Sequence, residues 1–113
     1  MKEIKAILRK ECVQDVVLAL RAAGVPRLTI CHVHALGSGV DPDHFRLSFE
    51  EGSAYMEKTR LELVCEEQQV QECIDLIRAH ACTGHRGDGV VFVSAVERVV
   101  KTQTGAEDER ALA

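Results

Sequence analysis

The chain has 113 residues, 46% of them hydrophobic and 28% charged, a balance that fits one compact domain with a modest core and excludes a second. A formal net charge of −4, scattered basic residues and the absence of Trp argue against a surface broad enough to bind the phosphates of nucleic acid. No apolar stretch approaches the roughly 20 residues of a membrane span, and Met1-Lys2-Glu3-Ile4-Lys5 lacks the apolar run of a signal peptide, so a cytoplasmic protein without membrane insertion is expected.

Residues 2–10 alternate apolar and charged side chains, the pattern of a half-buried strand. Val13, Val16, Val17 and Leu20 then fall at i, i+3, i+4, i+7, the stripe of an amphipathic helix, and Gly24 and Pro26 stop it. A β-branched run from Arg27 to Leu36 predicts a second strand that ends at Gly37-Ser38-Gly39. The order then recurs: an alternating strand near Lys58–Cys65, a helix with Val70, Cys73, Ile74 and Ile77 at the same spacing 57 residues later, and a strand over Val90–Val96. Two βαβ units side by side bury both stripes by laying two helices on one face of a four-stranded sheet. The expected fold is therefore α+β, a ferredoxin-like βαββαβ sandwich forming a single domain over residues 1–113, with 98–113 as a closing loop and tail. Apolar residues are expected to remain on the uncovered sheet face, and a small domain gains stability by association, so a closed oligomer is expected to cover that face.

Between the halves, residues 38–56 carry Gly39, Pro42 and Gly52 and no sustained period, and a loop of that length in a compact domain is usually functional or disordered. Three of the four aromatic residues, Phe45, Phe49 and Tyr55, lie there. They suit either anchors for a protein partner or packing at the loop base, and the segment is expected to be mobile until a partner orders it. Cys12, Cys31, Cys65, Cys73 and Cys82 are odd in number and contain no C-x-x-C pair, so reduced and mostly buried thiols are expected rather than a disulfide framework or zinc ribbon.

Thr83-Gly84-His85-Arg86-Gly87-Asp88-Gly89 connects a helix to a strand, whereas Walker and Rossmann phosphate loops connect a strand to a helix. Its three glycines suit a tight turn, and they equally permit an anion-binding nest of backbone N–H groups. With Val91-Phe92-Val93 after it, this run resembles the signature of PII signal-transduction proteins. The opening Met1-Lys2-x-Ile4-Lys5-Ala6-Ile7, the Gly24 turn, Gly37 and Thr104-Gly105-Ala106-Glu107-Asp108 also resemble that family, and the likeness spans nearly the whole chain outside the central loop.

The resemblance implies a homotrimeric regulator, not an enzyme, that binds an adenine nucleotide (ADP, AMP or ATP) in its subunit clefts and signals to a protein partner, such as a membrane transporter or an enzyme, through the long loop. By the same resemblance Ile7, Thr29 and Val64 border the adenine, and Gly37, Ser38 and Gly84, His85, Arg86, Gly87, Asp88 and Gly89 surround the phosphates. Lys101 and Gln103 reach in from a neighbouring subunit. Taken without the family, Ile7, Thr29 and Val64 read as ordinary strand packing. Four departures remove charge: Val90 stands where the family has lysine, Gln103 where it has arginine, Ser38-Gly39 where it has Arg-Gln, and Lys101 replaces another arginine. Charge-assisted hydrogen bonds are worth on the order of 1.5 to 3 kcal/mol each, so the phosphate site is expected to be weakened and ADP or AMP preferred to ATP. Glu50-Glu51-Gly52-Ser53-Ala54-Tyr55 replaces a Tyr-Arg-Gly-Ala-Glu-Tyr motif, so nucleotidylation of Tyr55 is not expected.

A metal-sensing role is the rival. His32 and His34 in Cys31-His32-Val33-His34 share one strand face about 7 Å apart, and His44, with Asp41 and Asp43, could complete a site. CutA-like trimers share the expected architecture, so fold alone does not separate the two readings. No Ser-His-Asp order, H-E-x-x-H run or pair of carboxylates in apolar surroundings points to catalysis; slow ATP hydrolysis in a trimer cleft is the only enzymatic alternative.

Overall fold

The computed structural model describes residues 1–36 and 56–112. Strands β1 (Lys2–Arg9), β2 (Thr29–Ala35), β3 (Met56–Cys65) and β4 (Gly89–Ala95) form one sheet in the order β2-β3-β1-β4, with every neighbouring pair antiparallel. Helices α1 (Val13–Ala22) and α2 (Val70–Ala81) cross over from β1 to β2 and from β3 to β4. This is the expected α+β arrangement, with the long connection between β2 and β3. No helix among the described residues is long and apolar enough to cross a membrane.

The helix ends follow from their sequence. Gly24 takes a left-handed φ of +95°, which lets Val25 N–H reach Leu20 O at 3.1 Å and Gly24 N–H reach Arg21 O at 3.1 Å, a Schellman-type stop. Val25 then buries itself in the core and Pro26 prevents continuation. Ahead of α2, Glu66 and Gln69 cap one another reciprocally, with Glu66 N–H donating to Gln69 Oε1 at 3.2 Å.

Both helices lie on one face of the sheet. The core joins Ile4, Ala6 and Leu8 of β1, Leu61, Leu63 and Cys65 of β3, Val16 and Leu20 of α1, and Cys73, Ile77 and Ala81 of α2. Period-2 alternation along β1 and β3 puts the intervening residues on the opposite face. The uncovered face keeps apolar residues, as expected, among them Ile7, Val64, Val90 and Phe92, and sets charged groups between them. Register places Lys5 opposite Glu62, Ile7 opposite Arg60 and Arg9 opposite Lys58, so charged residues alternate with Ile7 and Val64 along the central strands, and Phe92 and Val90 of β4 are about half exposed.

The bounds of three strands shift. β2 starts at Thr29, the first residue to pair with β3, since Arg27 and Leu28 belong to the irregular link after Pro26, and it ends at Ala35. β3 starts at Met56, where it pairs with Ala35, and β4 runs Gly89–Ala95, with Val96 N–H bonded to Met1 O. The thiols are less uniformly buried than expected: Cys65 and Cys73 are buried, Cys12 and Cys31 half-buried, and Cys82 exposed.

Candidate functional site

The loop Thr83–Gly89 leaves α2 and enters β4, and its shape is set by one carboxylate. Asp88 Oδ2 accepts from Thr83 N–H at 2.8 Å and Gly84 N–H at 2.9 Å, while Oδ1 accepts from the Thr83 hydroxyl and from Arg9 Nε, the latter at 3.2 Å. His85 N–H donates to Thr83 Oγ1 at 3.2 Å. The Thr83 hydroxyl, followed by the backbone amides and Arg9, holds the Asp88 carboxyl well below the usual carboxylate range. The three glycines all take positive φ, +82° at Gly84, +91° at Gly87 and +108° at Gly89. At Gly89 a Cβ would sit 1.7 Å from Ile7 O, so only glycine lets the loop rejoin the sheet there.

This geometry revises the nest reading for the first half of the loop. The N–H groups of Thr83, Gly84 and His85 are taken up by Asp88 and Thr83, which leaves the Arg86–Gly87 stretch as the part that can meet a ligand. The carbonyls of that stretch are gathered by two cations that sequence reasoning did not single out. Arg9 Nη2 donates to Arg86 O, and Lys58 Nζ donates to Gly87 O. Arg9 and Lys58 are direct cross-strand partners, and Lys58 is only 5% exposed. Burial lowers the Lys58 pKa, the neighbouring Arg9 lowers it further, and Asp88 opposes them. Two like charges held side by side under a glycine loop favour the arrival of an anion.

Ile7, Thr29 and Val64 lie on the same uncovered face, on neighbouring strands. Ile7 pairs with Arg60, Thr29 with Glu62, and Val64 with Glu3. Thr29 and Val64 also line a cavity of about 220 Å³ at the far end of the sheet. From the level of Thr29 and Glu62 to Lys58 is four residues along β3, about 13 Å at strand rise, a span an extended mononucleotide can cover. Lys101 and Gln103 sit in a turn beyond β4, closed by the Val100–Glu107 bridge and by Lys101 N–H to Ala106 O at 2.8 Å. Gly37, Ser38, His44, Phe45, Phe49 and Tyr55 lie outside the described residues.

His32 and His34 are exposed on edge strand β2, and His32 stands opposite Thr59, so both share the helix-covered side. Lys10 and Lys58 line the same cleft, and among the described residues no group of three or more His, Cys, Asp or Glu is placed to hold a metal ion. Glu57 also lines that cleft and pairs with Lys10 at 3.5 Å, and the expected third ligand His44, with Asp41 and Asp43, lies outside the described residues.

The family model described as Nitrogen regulatory protein P-II matches residues 1–106. Nitrogen regulatory protein P-II of Pasteurella multocida (strain Pm70) is 34% identical over 112 residues, covering 99% of this chain and 100% of its own. That of Microchaete diplosiphon is 34% identical with the same coverage, and Nitrogen regulatory protein P-II 1 of Escherichia coli (strain K12) is 33% identical, again over 99% and 100% of the two chains.

Proposed function

Because the chain belongs to the nitrogen regulatory protein P-II family, it is a signal-transduction regulator, and we propose that it senses an adenine nucleotide, ADP or AMP in preference to ATP, on the uncovered sheet face. The observation that carries this reading is the Thr83–Gly89 loop held over Arg9 and Lys58. Phosphates would lie against Lys58 and the Arg86–Gly87 stretch, and the base would lie toward Ile7, Thr29 and Val64. Around the loop the cations Arg9, Lys58 and Arg86 outnumber the single carboxylate of Asp88. That surplus favours a phosphorylated ligand, and Val90 and Gln103 bring no charge to reward a third phosphate.

The protein acts as a cytoplasmic homotrimer with its uncovered faces turned inward, each cleft completed by Lys101 and Gln103 of a neighbour. Residues 38–56 carry the signal to a protein partner such as a transporter or enzyme, with Phe45, Phe49 and Tyr55 as its aromatic contacts. Calorimetry with AMP, ADP and ATP, with and without magnesium, tests the ligand, and light scattering tests the trimer. Saturable ADP binding to a trimer, with little gain for ATP, is expected. A large preference for magnesium ATP, or a stable monomer, would overturn the reading.

A further inference from the structure

After β4 the chain turns back on itself. Val100 bridges Glu107, Arg98 pairs with Glu107, and Asp108 N–H donates to Val99 O at 2.9 Å. This return delivers a single 3-10 turn, Asp108–Ala111, to the end of the sheet, where Ala111 is 4% exposed and both Ala111 and Leu112 line the 220 Å³ cavity with Thr29 and Val64. The turn is held against local preference. Asp108 has φ +55°, uncommon for a residue other than glycine, and its Oδ1 is buried with no hydrogen-bond partner among the described residues. Features of that kind persist where the surrounding structure requires the placement.

We infer that Ala111 and Leu112 form one wall of the base-binding cavity, so that the chain's own closing segment, and not only a neighbouring subunit, selects the ring system of the ligand. This rests on the nucleotide reading above. Ligand pockets usually measure about 300 to 1,000 Å³, so a cavity of 220 Å³ takes a ring system and not a whole nucleotide, whose remainder runs along the sheet toward Lys58. Pro26, Val64 and Leu112 offer apolar surface to the faces of a flat heterocycle, and the polar groups at Thr29 and Glu62 meet its edge. Glu3, Arg27 and Glu62 bring charge to the remainder of the lining, so the Ala111–Leu112 wall is the side that offers a ring apolar surface alone.

The test uses the full chain and ADP. Methyl NMR of the unaltered protein should show the Ala111 and Leu112 signals shifting saturably with ADP, and Leu112→Trp, which fills the cavity, should weaken ADP binding at least tenfold by calorimetry. The methyl measurement holds whether or not the tryptophan variant folds. Unmoved methyl signals during ADP binding, or a folded Leu112→Trp variant with unchanged affinity, overturns the inference and leaves the nucleotide reading intact. Absence of ADP binding to the unaltered chain overturns both.

Discussion

Replacing Gly89 with alanine places a methyl carbon 1.7 Å from Ile7 O and 2.9 Å from Ile7 C, both backbone atoms of β1. Those atoms cannot swing aside, because β1 is hydrogen-bonded to β3 on one flank and β4 on the other. Gly84 is the natural control: its φ of +82° also disfavours a side chain, but a methyl there meets nothing within 4 Å. Backbone preference alone gives Gly84→Ala a loss of about 1 to 2 kcal/mol. Gly89→Ala adds overpacking against fixed backbone of about 1 to 3 kcal/mol, for a total of about 2 to 5 kcal/mol. Against a domain stability of roughly 5 to 15 kcal/mol this is a large share, and at about 4 to 8 °C per kcal/mol the two variants should separate clearly in thermal midpoint. Urea unfolding at one fixed protein concentration is the assay, since association would make the midpoint concentration-dependent. Equal losses for the two variants would refute the claim that contact with Ile7, beyond φ, demands glycine at position 89.

Further outcomes follow from the titrating groups. The Asp88 carboxyl, held down chiefly by Thr83, contributes stability that is complete above its ordinary value of 3.8 and is lost only as pH falls through the lower folded value; its NMR carboxyl signal should therefore stay flat through 3.8, and a midpoint there would contradict the network. Burial makes the charged form of Lys58 costly below its lowered pKa, a cost relieved as pH rises from that value toward 10.5, so ADP affinity should fall over this alkaline window in the native chain and hold in Lys58→Arg; parallel profiles would remove Lys58 from the site. A disulfide reagent followed by mass spectrometry should label exposed Cys82 in the folded protein and reach Cys65 and Cys73 only after unfolding, because burial pushes the Cys73 thiol up to about 11; equal rates for Cys73 and Cys82 would show that α2 opens readily.

The sheet and helices were legible because each element advertises itself locally. The stripe Val13, Val16, Val17, Leu20 and its copy at Val70, Cys73, Ile74, Ile77 marked both helices, and Gly24 marked where the first one stops. The glycines of the loop were legible for the same reason. Arg9 and Lys58 were not, since each reads alone as a solvated charge at a strand end, and their meeting depends on the register between β1 and β3, two segments far apart in the chain. The role of Asp88 as organiser was hidden too, because a carboxylate in a glycine run gives no sign of which amides it will accept. Ala111 carries no signal at all: its burial is decided by the return of the chain from Val100 to Asp108.

The strand order also has a kinetic meaning. β1 precedes the rest of the described sheet in the chain yet sits inside it, with Lys2 paired to Cys65 on one side and Ala95 on the other. During synthesis it must wait, both edges unpaired, until two later strands have emerged, and no neighbouring pair in the sheet is a tight local hairpin. Such non-local pairing slows folding and prolongs the exposure of apolar edges. A nascent chain halted before β4 would carry β1 with one flank open, a natural target for chaperones and a reason for fragments of this protein to aggregate.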